Sequence, residues 1–149
     1  MQTLKILQDK IVGDWLTKSC EITFGSQTES LYFKFPIKYK DELSDLADPW
    51  VILCLHKMMR VGGTFYVSGT ISKSLLANLE QYCECWLMLR PDYKPIKIIP
   101  NAEFDDVAKQ VSNSAIMTFS GGLDASFTMF RHKTGLAAPF NLLYFSQSA

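Results

Sequence analysis

The C-terminal part of the chain is organised around the stretch FSGGLDASFTM, residues 119–129. Its first residue, Phe119, is the last of a short apolar run at 115–119. Such a run is typical of a strand in a parallel sheet that is covered on both faces. Gly121-Gly122 supplies a tight turn, and a helix is predicted over 124–133. The apolar run 141–145 then returns as a second strand. These segments predict one strand–helix–strand unit with two parallel strands.

The glycine turn has the composition of an anion-binding loop. Two glycines after a strand allow the backbone to expose successive N–H groups, and the following helix directs the positive end of its dipole to the same point. Phosphate fits such a loop best, and Ser120 and Ser126 can add hydroxyl donors. Asp124 either caps the helix or holds a Mg²⁺ ion that bridges to the phosphates. The same residue types also occur in plain turns, so a purely structural role stays open.

The loop resembles a known signature, although it is neither a Walker A motif nor a G-x-G-x-x-G motif. Residues 120–124, Ser-Gly-Gly-Leu-Asp, followed by Ala125-Ser126, resemble the S-G-G-x-D-S motif of the N-type PP-loop ATP pyrophosphatases. This adenylating superfamily includes asparagine synthetases and GMP synthetases. The longer string FSGGLDASFTMFRHKTG, after a β-rich N-terminal region, is most similar to 7-cyano-7-deazaguanine synthase-like proteins, including relatives encoded in antiviral defence clusters.

The resemblance implies an ATP-dependent carbon–nitrogen ligase with ATP and Mg²⁺ as cofactors. The pyrophosphate of ATP would lie on the loop while an oxygen of a small-molecule or protein carboxylate or carbonyl substrate attacks the α-phosphate. An acyl adenylate would form and pyrophosphate would leave. The cofactor-binding residues that the resemblance implies are Ser120, Gly121, Gly122, Leu123, Asp124 and Ser126. Ala125 stands where the family usually has serine, which removes one hydrogen bond to a charged group, worth about 1.5–3 kcal/mol.

The first 110 residues predict an α+β accessory domain. Its predicted elements are a hairpin with one buried face over 20–35, a helix over 49–61, a strand over 64–71, a helix from Ser72 to Pro91, and a strand over 94–99. Asp48 is expected to cap the first helix and Ser72 the second, because short oxygen-bearing side chains favour that position. Gly62-Gly63 ends the first helix.

A polar stretch at 100–113 separates the two parts, with the boundary near 105–112, giving an α+β domain at 1–110 and the start of a PP-loop ATP-binding domain at 111–149. The resemblance implies that the second domain begins an adenine nucleotide alpha hydrolase-like α/β fold with a parallel sheet. Two parallel strands and one helix cannot close a core. We therefore expect a truncated reading frame, a fragment of a longer protein, or half of a split enzyme whose sheet a downstream polypeptide completes. The chain alone is expected to be inactive. A non-catalytic binding or assembly module with a degenerate nucleotide loop is the alternative.

Charge and composition exclude several classes of protein. The 149 residues carry 15 basic and 15 acidic side chains, so the chain has no overall electrostatic signal for nucleic acid or for an anionic membrane. Neither a membrane span nor a signal peptide is predicted, which suggests a cytoplasmic protein. The four cysteines lack zinc-knuckle or redox spacing and are predicted to be reduced structural thiols.

The remaining candidate side chains are predicted to be structural. His56 and His132 have no second histidine or paired carboxylate at ligand spacing, so no metal site is predicted. His132 lies at the end of the helix that follows the loop, where its charge complements the helix dipole. Trp50 and Trp86 are not interleaved with basic residues and are assigned to the core.

Overall fold

The computed structural model describes residues 1–105, 114–134 and 141–146. The chain divides into two compact units, Met1–Ala108 and Lys109–Ala149. The secondary structure is mixed, with strands and helices in both units.

The first unit is built on a six-stranded mixed sheet. Its strands are β1 (Gln2–Ile6), β2 (Lys10–Val12), β3 (Trp15–Phe24), β4 (Gln27–Pro36), β5 (Gly63–Ser72) and β6 (Ile96–Phe104). Strand β3 pairs antiparallel with β4 along one edge and with β1 and β2 along the other. Strand β5 lies parallel between β1 and β6. Across the sheet the order is therefore β4-β3-β1-β5-β6, with β2 beside the N-terminal end of β3.

The predicted hairpin is confirmed as the β3–β4 pair. Phe24 pairs with Gln27, so only Gly25 and Ser26 form the connection. Gly25 has a φ of +61°, and glycine is favoured at the first position of such a two-residue turn because it adopts this conformation without steric cost. The turn therefore sets the register of the longest strand pair in the sheet.

The two predicted helices of the first unit are also confirmed. Helix α1 spans Asp48–Val61 and helix α2 spans Lys73–Leu89, and a short 3₁₀ helix over Ile37–Glu42 follows β4. Helix α1 ends at Gly62, whose φ of +78° reverses the chain direction into β5. A Cβ at Gly62 would lie 2.6 Å from the Cβ of Lys94, so both backbone conformation and space require glycine here.

Both helices pack on one face of the sheet. The strands contribute buried side chains from a single face, and the helices meet them with their own apolar residues: Leu4, Ile22, Phe65 and Val67 from the strands, Val51, Leu55, Met58 and Met59 from α1, and Leu79 and Cys83 from α2. The ring of Phe24 meets that of Phe65 edge-on at 5.7 Å. Within the described residues, no helix of this unit covers the opposite face, where Tyr32 and Tyr66 are exposed.

One strand was not predicted, and two expectations need correction. The central strand β1 was not predicted, because its register depends on β3 and β5, which are distant in sequence. Strand β6 continues to Phe104, although a polar connection was expected from Pro100 onward. Pro100 is tolerated because β6 is an edge strand, and the register with β5 shifts directly after it. The N-cap of α1 is Ala47, not Asp48.

The second unit contains strand β7 (Ser114–Phe119), helix α3 (Leu123–Lys133) and strand β8 (Asn141–Ser146). The two strands are parallel, with Ser114 paired to Asn141. The predicted strand–helix–strand order is therefore observed, and α3 begins one residue earlier than predicted. The expected domain boundary at 105–112 falls almost entirely outside the described residues.

Candidate nucleotide-binding loop

The loop connects the end of β7 to the start of α3. Gly121 has a φ of +74°, a left-handed conformation that side-chain-bearing residues rarely adopt. Gly122 follows with an extended backbone, φ −72° and ψ 169°, and is the N-cap of α3. The chain thus turns sharply within two residues, and the next residue, Leu123, is already helical.

Among the described residues, most amides of the loop have no hydrogen-bond partner. The N–H of Gly122 donates to the Ser120 hydroxyl at 3.4 Å, and the N–H of Ser126 donates to the Gly122 carbonyl at 3.0 Å as the first helical bond. The N–H groups of Leu123, Asp124 and residue 125 have no partner among the described residues. Free amides at a helix N-terminus attract anions, because the unsatisfied donors and the dipole act together.

The side chains of the predicted site are exposed to different degrees. Ser120, Leu123 and Asp124 are exposed, whereas Ser126 is half-buried in the first turns of α3. The Ser120 hydroxyl accepts a hydrogen bond from the Gly122 N–H. Ser126 contacts the loop glycines through its backbone N–H, and among the described residues its hydroxyl makes no hydrogen bond to them.

Asp124 does not cap the helix. The N-cap position belongs to Gly122, which has no side chain, and Asp124 lies in the first turn. Among the described residues its carboxylate has no hydrogen-bond or ion-pair partner. Of the two roles that the sequence allowed for Asp124, capping is therefore not observed. The carboxylate remains favourably placed near the positive end of the helix dipole.

The space around the glycines is open. A Cβ at Gly121 would have no atom of a described residue within 4 Å, and a Cβ at Gly122 would lie 3.5 Å from the Ser120 hydroxyl oxygen. Packing does not require glycine at either position. Backbone conformation requires it at Gly121, which gives a specific substitution for testing the loop.

Metal binding by the protein alone finds no support in the described residues. They contain no group of three or more His, Cys, Asp or Glu side chains that could hold a metal ion. Mg²⁺ is commonly bound through one or two carboxylates together with substrate phosphates. Asp124, as a single carboxylate beside the loop, fits that shared form of coordination.

The structure places His56 in a cluster that sequence analysis missed. Its Nε2 lies 3.2 Å from the hydroxyl of Tyr82, and its Nδ1 lies 3.1 Å from the hydroxyl of Tyr93. The ring of Trp86 meets it edge-on at 5.1 Å. Because both ring nitrogens are engaged, His56 connects α1 to α2 and to the segment after α2. The i, i+4 spacing of Tyr82 and Trp86 was the available signal.

All four cysteines are free thiols. Cys20, Cys54 and Cys83 are buried and Cys85 is exposed. The hydrogen bond to Cys54, together with burial, raises the pKa of the Cys20 thiol. Burial also raises the pKa of Cys83. A raised pKa suppresses the reactive thiolate, so these two side chains behave as apolar core residues.

No protein-family model matches the chain, and neither a curated protein nor a solved structure matches it. The assignment of the loop therefore depends on the motif residues and on their geometry. Within the part of the chain that the structure describes, no helix has both the length and the apolar character needed to cross a membrane.

Proposed function

We propose that the chain forms part of an ATP-dependent adenylating ligase or synthase of the 7-cyano-7-deazaguanine synthase-like type. One observation carries the proposal: the Ser-Gly-Gly-Leu-Asp turn joins a strand of a parallel pair to a helix, and the first amides of that helix have no partner within residues 1–105, 114–134 and 141–146. The first unit serves as an accessory domain in this proposal, and the second unit supplies the pyrophosphate site.

The proposed reaction activates a carboxylate or carbonyl for attack by a nitrogen nucleophile. The substrate oxygen attacks the α-phosphorus of ATP, and the bond between that phosphorus and the bridging oxygen to the β-phosphorus breaks. Pyrophosphate leaves with the electron pair, and an adenylated substrate remains. The amides of Leu123 and Asp124, with the Ser120 hydroxyl, would stabilise the charge on the departing pyrophosphate.

Asp124 has a distinct role in the proposal. Its carboxylate would hold Mg²⁺ against the phosphates, which offsets the repulsion between an aspartate and a polyanion. Ser126 would contribute a hydroxyl in place of the serine that position 125 lacks. This chain is therefore expected to bind ATP more tightly when Mg²⁺ is present than when it is absent.

The test is isothermal titration calorimetry of the chain with ATP and Mg²⁺. Gly121→Ala strains the backbone at a φ of +74° by about 1–2 kcal/mol, so the loop relaxes and the amides turn away. Gly25→Ala is the matched control, because its φ is +61° and its surroundings are equally open, but it lies in the first unit. We expect Gly121→Ala to weaken ATP binding at least fivefold and Gly25→Ala to leave it unchanged.

A second variant separates phosphate binding from metal binding. Asp124→Asn should abolish the dependence of ATP affinity on Mg²⁺ while the weaker metal-free binding persists. If the wild-type chain binds no ATP at millimolar concentration, the ligase proposal fails.

A non-catalytic assembly module is the second candidate function. It is favoured by a groove of about 540 Å³ beside the edge strand β6, lined mainly by apolar side chains of α2 and β6. Leu123, Phe127 and Phe130, spaced along α3, are also exposed. Absence of ATP binding together with concentration-dependent self-association would favour this candidate.

A further inference from the structure

The sheet face of the first unit that lies opposite α1 and α2, here called the open face, carries an excess of positive charge. Its paired rows contain four lysines from four different strands: Lys5, Lys10, Lys34 and Lys97. Glu21, directly opposite Lys5, lies on the same face. The neutral net charge of the chain therefore does not describe this surface.

The lysines of the open face are not neutralised by ion pairs. Within the described residues, none of the four has a carboxylate oxygen within 4.0 Å. Some other cations of this unit do have acidic partners: Lys57 contacts Glu29, Lys73 contacts Asp105, and Arg90 contacts Asp92. Four lysines without an ion pair among the described residues therefore lie together on the open face.

Exposed aromatic rings lie among these lysines. Tyr66 is 45% exposed and alternates with the buried residues Phe65 and Val67. Tyr66 pairs with Thr3 on β1, and Lys5 lies two residues after Thr3 on that strand. Tyr66 also pairs with Ile99 on β6, and Lys97 lies two residues before Ile99. Diagonal neighbours of this kind are about 7–8 Å apart. Lys5, Tyr66 and Lys97 therefore lie on one diagonal across β1, β5 and β6.

A second aromatic and basic group lies at the β4 edge of the open face. Tyr32 is 65% exposed, and the ammonium of Lys34 lies 6.0 Å from the centre of its ring. Lys10 and Lys34 both pair with Thr17, from opposite sides of β3. Three strand spacings and four residues along a strand separate Tyr66 from Tyr32, which is about 20 Å.

We propose that the open face binds single-stranded nucleic acid. The bases stack on Tyr66 and Tyr32, and the phosphates contact the flanking lysines. Exposed rings on a sheet face are accessible to unpaired bases but not to the stacked bases of a duplex. The separation of the two tyrosines calls for a ligand of several nucleotides. This function is independent of the nucleotide loop, which lies in the other unit.

The first test measures stacking. We use fluorescence anisotropy with the full chain and a labelled oligo(dT) of twelve nucleotides without terminal phosphates. Tyr66→Ala is expected to weaken binding about 5- to 150-fold, the range that corresponds to one stacked base. Tyr66→Phe retains the ring and is expected to retain wild-type affinity, a pattern that loss of structure alone would not produce.

The second test measures the phosphate contacts. The double variant Lys5→Gln/Lys97→Gln is expected to reduce the salt dependence of binding, lowering the slope of log K against log salt by about 1.4 for single strands. The control Lys57→Gln/Lys73→Gln removes the same charge from the helical side of the unit and should leave the slope unchanged. A saturating concentration of ATP should not displace the oligonucleotide.

Three results would overturn the proposal. The first is no binding of the oligonucleotide by the wild-type chain at 50 mM salt. The second is an equal loss of affinity in the control double variant. The third is tighter binding to phosphatidylserine vesicles than to the oligonucleotide, with no effect of Tyr66→Ala, which would assign the charge to a membrane surface.

Discussion

The Asp48 carboxylate accepts two hydrogen bonds from Ser72, one from its backbone N–H at 2.9 Å and one from its hydroxyl. Asp48 is the first residue of α1, and Ser72 is the N-cap of α2. Each was expected to cap its own helix, yet neither N-cap residue makes a side-chain cap bond. The pair instead joins the N-termini of the two helices and places one negative charge near both positive dipole ends.

We expect Asp48→Ala to lower the free energy of unfolding by about 1–3 kcal/mol, because the partly buried Ser72 N–H loses its acceptor. Urea denaturation followed by circular dichroism measures this loss. A double-mutant cycle with Ser72→Ala should show a coupling free energy of about 0.5–3 kcal/mol.

The control for this cycle is Asp41→Ala. Asp41 is an exposed acidic residue in the 3₁₀ helix, so the variant removes the same charge without removing the bonds to Ser72. Its stability should change by no more than about 0.5 kcal/mol. If the effects of the two substitutions on the free energy of unfolding are additive, the coupling free energy is zero and this account of the Asp48–Ser72 bonds is contradicted.

His56→Phe should destabilise the first unit by about 1–3 kcal/mol, because the ring packing against Trp86 is kept while both tyrosine hydroxyls lose a partner. Tyr93→Phe should cost more than Tyr82→Phe. Tyr82 is the more exposed of the two, so water can replace its hydroxyl as the partner of His56 Nε2. Chemical denaturation of the three variants gives the ranking, with Tyr39→Phe as the control. The reverse order for the two tyrosines would contradict this account.

Lys18→Met should lower the melting temperature at neutral pH and have little effect at the pH extremes. The hydrogen bond from Lys18, together with its charge, lowers the pKa of Asp45, so this carboxylate stabilises the fold above about pH 4 and loses that effect as pH falls through its lowered value. Partial burial lowers the pKa of Lys18, but hydrogen bonds to Asp45 and Asp9 outweigh it, and the net pKa is raised.

The lysine contribution is therefore present below about pH 10.4 and is lost as pH rises through the raised value. Because Asp45 is well exposed, each pair contributes only about 0.2–1 kcal/mol. Melting curves from pH 2.5 to 11 should show the difference from wild type greatest between about pH 5 and 9. Lys38→Met, which removes a lysine without an ion pair among the described residues, should show no such window. A constant difference at all pH values would refute the assignment.

One of the four cysteines should react rapidly with a thiol reagent in the native protein. Cys85 is exposed, whereas burial raises the pKa of Cys83, two residues away. Titration with Ellman's reagent at pH 8 should give one fast thiol, and all four should react in denaturant. Cys85→Ser should remove the fast phase and Cys83→Ser should not. Two fast thiols in the wild type would show that the C-terminal part of α2 opens readily.

Local sequence patterns were sufficient to predict the β3–β4 hairpin, α1, β5, α2 and the strand–helix–strand order of the second unit. Each of these is specified within a short segment, by apolar periodicity and by turn residues such as Gly25 and Gly62. The composition of the loop at 120–124 was equally visible. The exposure of its N–H groups was expected from its two glycines. That Asp124 does not cap the helix was not predictable, because it depends on where α3 begins.

Other features depend on contacts between residues that are distant in sequence. The central position of β1 follows from pairing with β3 and β5, and the Asp48–Ser72 bonds exist only because α1 and α2 start at the same end of the sheet. The same holds for Lys5, Tyr66 and Lys97, which are scattered along a chain of zero net charge. The sequence of a strand shows which of its side chains share a face, but strand pairing determines which side chains of different strands become neighbours. This basic surface therefore arises only in the folded sheet.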